Sequence, residues 1–158
     1  MPTKRDSNLF GNIPMLCQAE NGNTMKKITI DADTKNLPQV LAFIDEELEA
    51  ADCPMKAQMQ IDIAVEEIFV NISNYAYAPG IGTAEIGIGV HEGIAEITFS
   101  DSGVPYDPLA KEDPDVSLSA EDRKIGGLGI LLVKKSMDDV QYAYKNGQNH
   151  LLLRKKFS

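Results

Sequence analysis

The chain is poor in basic charge, cysteine and histidine, and each shortage removes a class of function. Lys and Arg number 15 against 24 Asp and Glu, a net charge of -9 over 158 residues. A nucleic-acid surface would require a local basic run interleaved with aromatics, and none occurs, so direct nucleic-acid binding is not expected. The two cysteines, Cys17 and Cys53, have no C-x-x-C spacing, which argues against a disulfide scaffold and against a zinc site. His91 and His150 likewise form no metal-ligand cluster in sequence. No apolar run follows Lys4 and Arg5 as in a signal sequence, and no stretch approaches the length of a membrane span. A cytoplasmic protein without a membrane segment is the expectation. Walker A, H-R-D and D-F-G motifs are also missing, which excludes P-loop nucleotide chemistry and the ordinary eukaryotic-type protein kinases.

What is present suffices for one domain, with 43% hydrophobic residues and room for a sizeable core. Residues 1–24, rich in Asn, Gly and Pro, read as a flexible arm or an upstream extension, with Met25 as an alternative start. From residue 25 to 158 the pattern is that of a folded domain. KKITIDA alternates as a strand, and LPQVLAFIDEELEAA has helical spacing at Leu37, Val40, Leu41, Ile44 and Leu48. A second helix is expected from Met55 to Ala78, entered at Pro54 and stopped by Pro79-Gly80. The strands TAEIGIGV and IAEITFS follow, joined at His91-Glu92-Gly93. In the first of them Gly87 and Gly89 share a face, where close approach by a packed helix is the simpler expectation and a ligand the other. A polar stretch from Asp107 to Lys124 leads to GGLGILLVKKSM, a glycine turn opening a helix. DDVQYAYK and HLLLRKK close the chain as a hairpin about Asn146-Gly147. This order lacks regular βαβ alternation. It predicts an α+β fold, a two-layer sandwich whose mixed, mostly antiparallel sheet is covered on one face by helices.

Three clusters carry candidate chemistry. In VEEIFVNISNY, residues 65–75, Val65, Ile68 and Ile72 continue a core-facing seam begun at Ile61, while Glu67, Asn71 and Asn74 gather on the flank beside it. Polar groups bordering a core need partners, which a neighbouring loop, water or a ligand can supply. In DSGVPYDP, residues 101–108, Asp101 leaves a strand into a turn where Gly103 permits close approach. Such a turn is either only a turn or a carboxylate placed to accept from an exocyclic amine. In IGGLGILLVKK, residues 125–135, glycines precede an apolar helix whose free N–H groups and dipole suit a phosphate, although glycines also serve plain turns.

In this order, the three clusters resemble the N box and the two glycine boxes of the GHKL, or Bergerat-fold, ATPases. Within that group they are similar to the bacterial anti-sigma-factor serine/threonine protein kinases, including the Met-Asp-Asp tail of GGLGILLVKKSMDDV. The resemblance covers about residues 26–156. It implies ATP and Mg²⁺ as cofactors, with Asn71 holding the magnesium and Glu67 acting as general base toward the attacking hydroxyl. It further implies that Asp101 accepts from the adenine amino group, that Gly103 makes room for the ring, and that Gly127 and Gly129 donate to the phosphates. Residues 107–124 become an ATP lid, in which Arg123 and Lys124 either contact the outer phosphates or form a solvated pair balancing Glu121 and Asp122. Two positions depart from the family pattern: Tyr75 stands where many relatives carry a basic or histidine side chain, and Tyr106 replaces the commoner Phe. The implied function is an anti-sigma factor that binds a sigma factor, phosphorylates an anti-anti-sigma (STAS-type) protein on Ser or Thr, and forms a homodimer. Two alternatives stand beside it, a non-catalytic ATP-gated binding module and a histidine-kinase-type catalytic domain acting in trans.

Overall fold

Period-two and period-3.6 patterns resolve into five strands and three helices in a computed structural model that describes residues 25–110 and 127–157. In chain order these are β1 (Lys26–Asp31), α1 (Leu37–Ala50), α2 (Met55–Asn71), β2 (Thr83–His91), β3 (Ile94–Asp101), α3 (Gly127–Ser136), β4 (Asp139–Lys145) and β5 (Gln148–Lys156). Residues 1–24, expected as an arm, and the part of the expected lid beyond residue 110, with Arg123 and Lys124, lie outside the described residues. The strand order is β1-β2-β3-β5-β4. All four ladders are antiparallel, so the sheet is mostly antiparallel as expected but not mixed. Parity accounts for this. Two helices separate β1 from β2, which reverses the second strand against the first. One helix separates β3 from β4, which would make them parallel, but β5 sits between them and removes that pairing.

The helices cover one face of the sheet, as the two-layer expectation requires. Val40, Ile44 and Leu48 of α1 and Ile61, Val65 and Ile68 of α2 are buried against Ile86, Ile88, Ile97, Phe99, Leu151 and Leu153. Fully burying each such side chain contributes about 1.5–3 kcal/mol. On the opposite face, the close neighbours at Gly87 and Gly89 are side chains of Thr98, Lys27 and Met25, not a packed helix. Thr98 and Lys27 are the cross-strand partners of Gly87, so the glycines accommodate their own ladder.

Local chemistry fixes the ends of α1 and α2. Helix α1 closes with the amides of Asp52 and Cys53 turning back to Glu49 O at 3.1 Å and Leu48 O at 3.0 Å. Asp52 takes the left-handed conformation, φ 58°, that usually falls to glycine at this position. Pro54 then opens α2 in extended conformation. Gln58 Nε2 of α2 donates to Glu49 Oε2 of α1 at 3.1 Å. Beside them Asp45 of α1 and Asp62 of α2 each hold a buried Oδ1 with no donor. At its far end α2 does not run on to Ala78: the α-helix stops at Asn71 and one π-helical turn, Ile72–Ala76, follows. Helical spacing alone does not distinguish the two, and such turns are frequent at functional sites.

Candidate functional site

The wider π turn carries the end of α2 up to the DSG turn that leaves β3. A Cβ on Gly103 would overlap the backbone carbonyl and Cβ of Ala76, so the close approach at Gly103 is made by α2's own end. Ala76 is thus a first reason for glycine at position 103, independent of any ligand. Val104 N–H donates to Ala76 O at 3.0 Å. Tyr77 adds a second stitch, its hydroxyl accepting from Ser102 N–H at 2.8 Å and donating to Thr83 O at 2.6 Å.

Asp101, the last residue of β3, is 6% exposed. Gly103 N–H donates to its Oδ1 at 2.9 Å and Asn149 Nδ2 donates to the same oxygen at 3.0 Å. No described donor reaches Oδ2, which is therefore the oxygen open to a ligand. The carboxylate lies in an open cleft of about 130 Å³ that is otherwise mainly apolar. Ile68, Ile72 and Tyr75 of the α2 segment form one wall, and Val104 and Tyr106 line the cleft from the segment after β3. Phe99 and Leu151 lie at its base on the sheet. An apolar cleft with one open acceptor at its head suits a flat heteroaromatic ring carrying an amino group.

Asn71 also lines the cleft. Glu67, one turn earlier, is half-buried, and burial raises its carboxyl above the ordinary range with the Glu66 charge adding to the effect. The first turn of α3 meets it there: a Cβ on Gly129 would overlap Glu67 Oε1. Helix α3 begins at Gly127, and Gly129 in its first turn is the residue that lies against that carboxylate. Glu67 on the helix flank and Gly129 of α3, 62 residues apart in sequence, thus adjoin. Asn74 is exposed and does not line the cleft. Among the described residues no group of three or more His, Cys, Asp or Glu could hold a metal ion. A cation here would take the Asn71 amide oxygen and complete its shell from phosphates and water. Mg²⁺ tolerates that donor set well, since it keeps several waters and binds through few protein ligands.

Sequence reasoning missed Asn149 and Tyr142. The signal for Asn149 was present: along β5 the core-facing positions are Asn149, Leu151 and Leu153, and a carboxamide on an apolar face requires partners.

A two-layer antiparallel sandwich with a carboxylate at the head of a cleft between its N-box helix and sheet defines the class of GHKL-like ATPase domains. The sequence matches the histidine kinase-like ATPase domain over residues 30–155, and the chain belongs to that family. It is similar to the "Serine-protein kinase RsbW" of Bacillus cereus (strain AH820) and of Bacillus thuringiensis (strain Al Hakam). Each is 33% identical over 96 residues, covering 58% of this chain and 60% of the relative. The chain therefore spans about 60% of the length of these curated relatives. The solved RsbU and RsbW domains of Rv1364c from Mycobacterium tuberculosis share the fold, with a TM-score of 0.59 at 15% identity over 84% of this chain and 32% of that one. Among the described residues no helix is long and apolar enough to cross a membrane.

Proposed function

We propose that this chain is an ATP-dependent serine/threonine protein kinase of the anti-sigma type. The observation that carries the nucleotide part is Asp101, held by two donors on Oδ1 with Oδ2 open at the head of an apolar cleft. In this reading the purine lies in that cleft with its amino group on Oδ2, and Gly127 and Gly129 offer backbone N–H groups to the phosphates. Arg123 and Lys124 act on the outer phosphates. Asn71 holds Mg²⁺, whose charge offsets that of the phosphates.

Glu67 accepts the proton of the partner's hydroxyl as its oxygen bonds to the γ-phosphorus. The bond from that phosphorus to the bridging oxygen breaks, and ADP leaves with the electron pair. A carboxyl raised by burial is a better base than an exposed one, and a positioned base contributes about 10² to 10⁴ in rate. The domain is residues 25–158, with residues 1–24 as an arm. The partners in this proposal are a sigma factor, which it holds, and a STAS-type anti-anti-sigma protein, which it phosphorylates, acting in the cytoplasm as a homodimer. A net charge of -9 favours partner surfaces that are basic.

The test is transfer of label from γ-phosphate-labelled Mg·ATP to a purified anti-anti-sigma protein, with wild type and Glu67→Gln compared. An acid-stable phosphoprotein whose formation falls about 10²-fold or more in the variant is expected. Measurable ATP binding with no transfer would replace the kinase by a nucleotide-gated binding module. An acid-labile product on histidine would assign the chain to the histidine-kinase chemistry instead.

A further inference from the structure

Asn149 is 7% exposed on the core-facing side of β5, and the structure employs its whole carboxamide. Nδ2 donates to Asp101 Oδ1 at 3.0 Å and to Val104 O at 2.9 Å. Oδ1 accepts from Tyr106 N–H at 3.0 Å and from the Tyr142 hydroxyl. Two donors and two acceptor positions are all a carboxamide has. Turning it over would set its oxygen against a carboxylate and a carbonyl, and its NH₂ against a backbone N–H. Its orientation is therefore fixed by four neighbours.

We propose that Asn149 is a positioning residue that fixes which side-chain oxygen of Asp101 faces the cleft, and so sets a preference for purines bearing an amino group at C6 over purines bearing a carbonyl there. The proposal rests on the nucleotide reading above and adds the cause of its selectivity. Gly103 N–H and Asn149 Nδ2 converge on Oδ1, which leaves Oδ2 as a pure acceptor. In Asp101→Asn the side chain keeps its shape, and its oxygen must remain where the two N–H donors point. Its NH₂ then takes the place of Oδ2, and a donor faces the cleft where an acceptor stood. A 6-oxopurine complements that donor, whereas the 6-amino group of adenine opposes it.

The experiment measures binding of ATP and of inosine triphosphate to the full chain as wild type, as Asp101→Asn, and as Asp101→Asn combined with Asn149→Ser. Thermal melting of each establishes that it folds, and Asn149→Ala replaces Asn149→Ser if the latter does not melt cooperatively. Wild type is expected to favour ATP by about 10- to 100-fold, the span of a hydrogen bond to a charged group. Asp101→Asn is expected to reverse the preference, and the double variant to bring the ratio back toward parity because the freed amide can turn. A merely structural role for Asn149 would lower both affinities together and leave the ratio alone. Asp101→Asn that still favours ATP overturns the fixed orientation. A double variant with the same preference as the single one overturns the role of Asn149. Wild type that binds neither nucleotide refutes the nucleotide reading itself, an outcome distinct from the other two.

Discussion

Replacing Asp62 by Asn should stabilise the protein in alkaline solution and leave it little changed in mild acid. Asp62 and Asp45 face each other across the α1–α2 contact, each with a buried Oδ1 that no donor reaches. A proton on the Asp62 carboxyl supplies the hydrogen bond between the two side chains. Burial is the first cause that pushes Asp62 up to about 8, followed by its hydrogen bond with Asp45 and the charges of Asp45 and Glu49. Cys53 in the adjoining loop is raised by burial and by the same two aspartates. The folded-state value lies above the unfolded one of 3.8, so the folded protein binds the proton more tightly. That contribution is fully present below pH 3.8 and is lost as pH rises through about 8, because ionisation then sets two carboxylates side by side. Asp62 is partly open to solvent, and screening reduces the loss to about 1–2 kcal/mol across the window. The amide of Asp62→Asn donates to Asp45 at every pH and does not titrate. Urea unfolding of both proteins at pH 5, 7 and 9 should show the variant's advantage growing by that amount toward pH 9. Parallel pH profiles would refute the raised Asp62 carboxyl.

Gly129→Ala places a methyl group on Glu67 Oε1, so phosphotransfer should fall at least about 10-fold, within the range a positioned base contributes, while ATP affinity changes less. Equal losses in both would mean that Glu67 serves binding rather than transfer. Gly103→Ala meets backbone at Ala76, which cannot move aside as a side-chain tip can, and should destabilise the fold by about 1–3 kcal/mol in chemical denaturation. A melting temperature equal to wild type would contradict the close contact.

The elements were legible because their periods are regular: Val40, Ile44 and Leu48, or Ile61, Val65 and Ile68, mark one face with no tertiary information. Asn146-Gly147 marked the closing hairpin equally well, and both residues take positive φ. The sheet's pairing was less legible, since the insertion of β5 between β3 and β4 is a choice between long-range partners. For the candidate site, Asp101, Asn71 and the Glu67 flank could be picked out by residue type and spacing. A glycine states that something comes close and not what does, so the contact of Gly103 with Ala76 is not legible in the sequence. The Asn149 network and the Asp45–Asp62 pair join positions 48 and 17 residues apart, and no local pattern records such meetings. The π turn escaped because helix period changes too little over five residues to register in hydropathy.

The cleft is assembled from Ile68 and Asn71 on α2, Phe99 and Asp101 on β3, and Asn149 and Leu151 on β5, so its parts are brought together only when the sheet has closed and the helix layer has docked. A molecule that fits it binds the complete native state and has nothing comparable to hold in a partly unfolded chain. By mass action, ligand at 100 times its Kd would add about 2.7 kcal/mol to the free energy of global unfolding. Occupancy of this cleft would then slow amide exchange most at core positions that open only by global unfolding, such as Ile97 and Leu153, and not merely at its own rim.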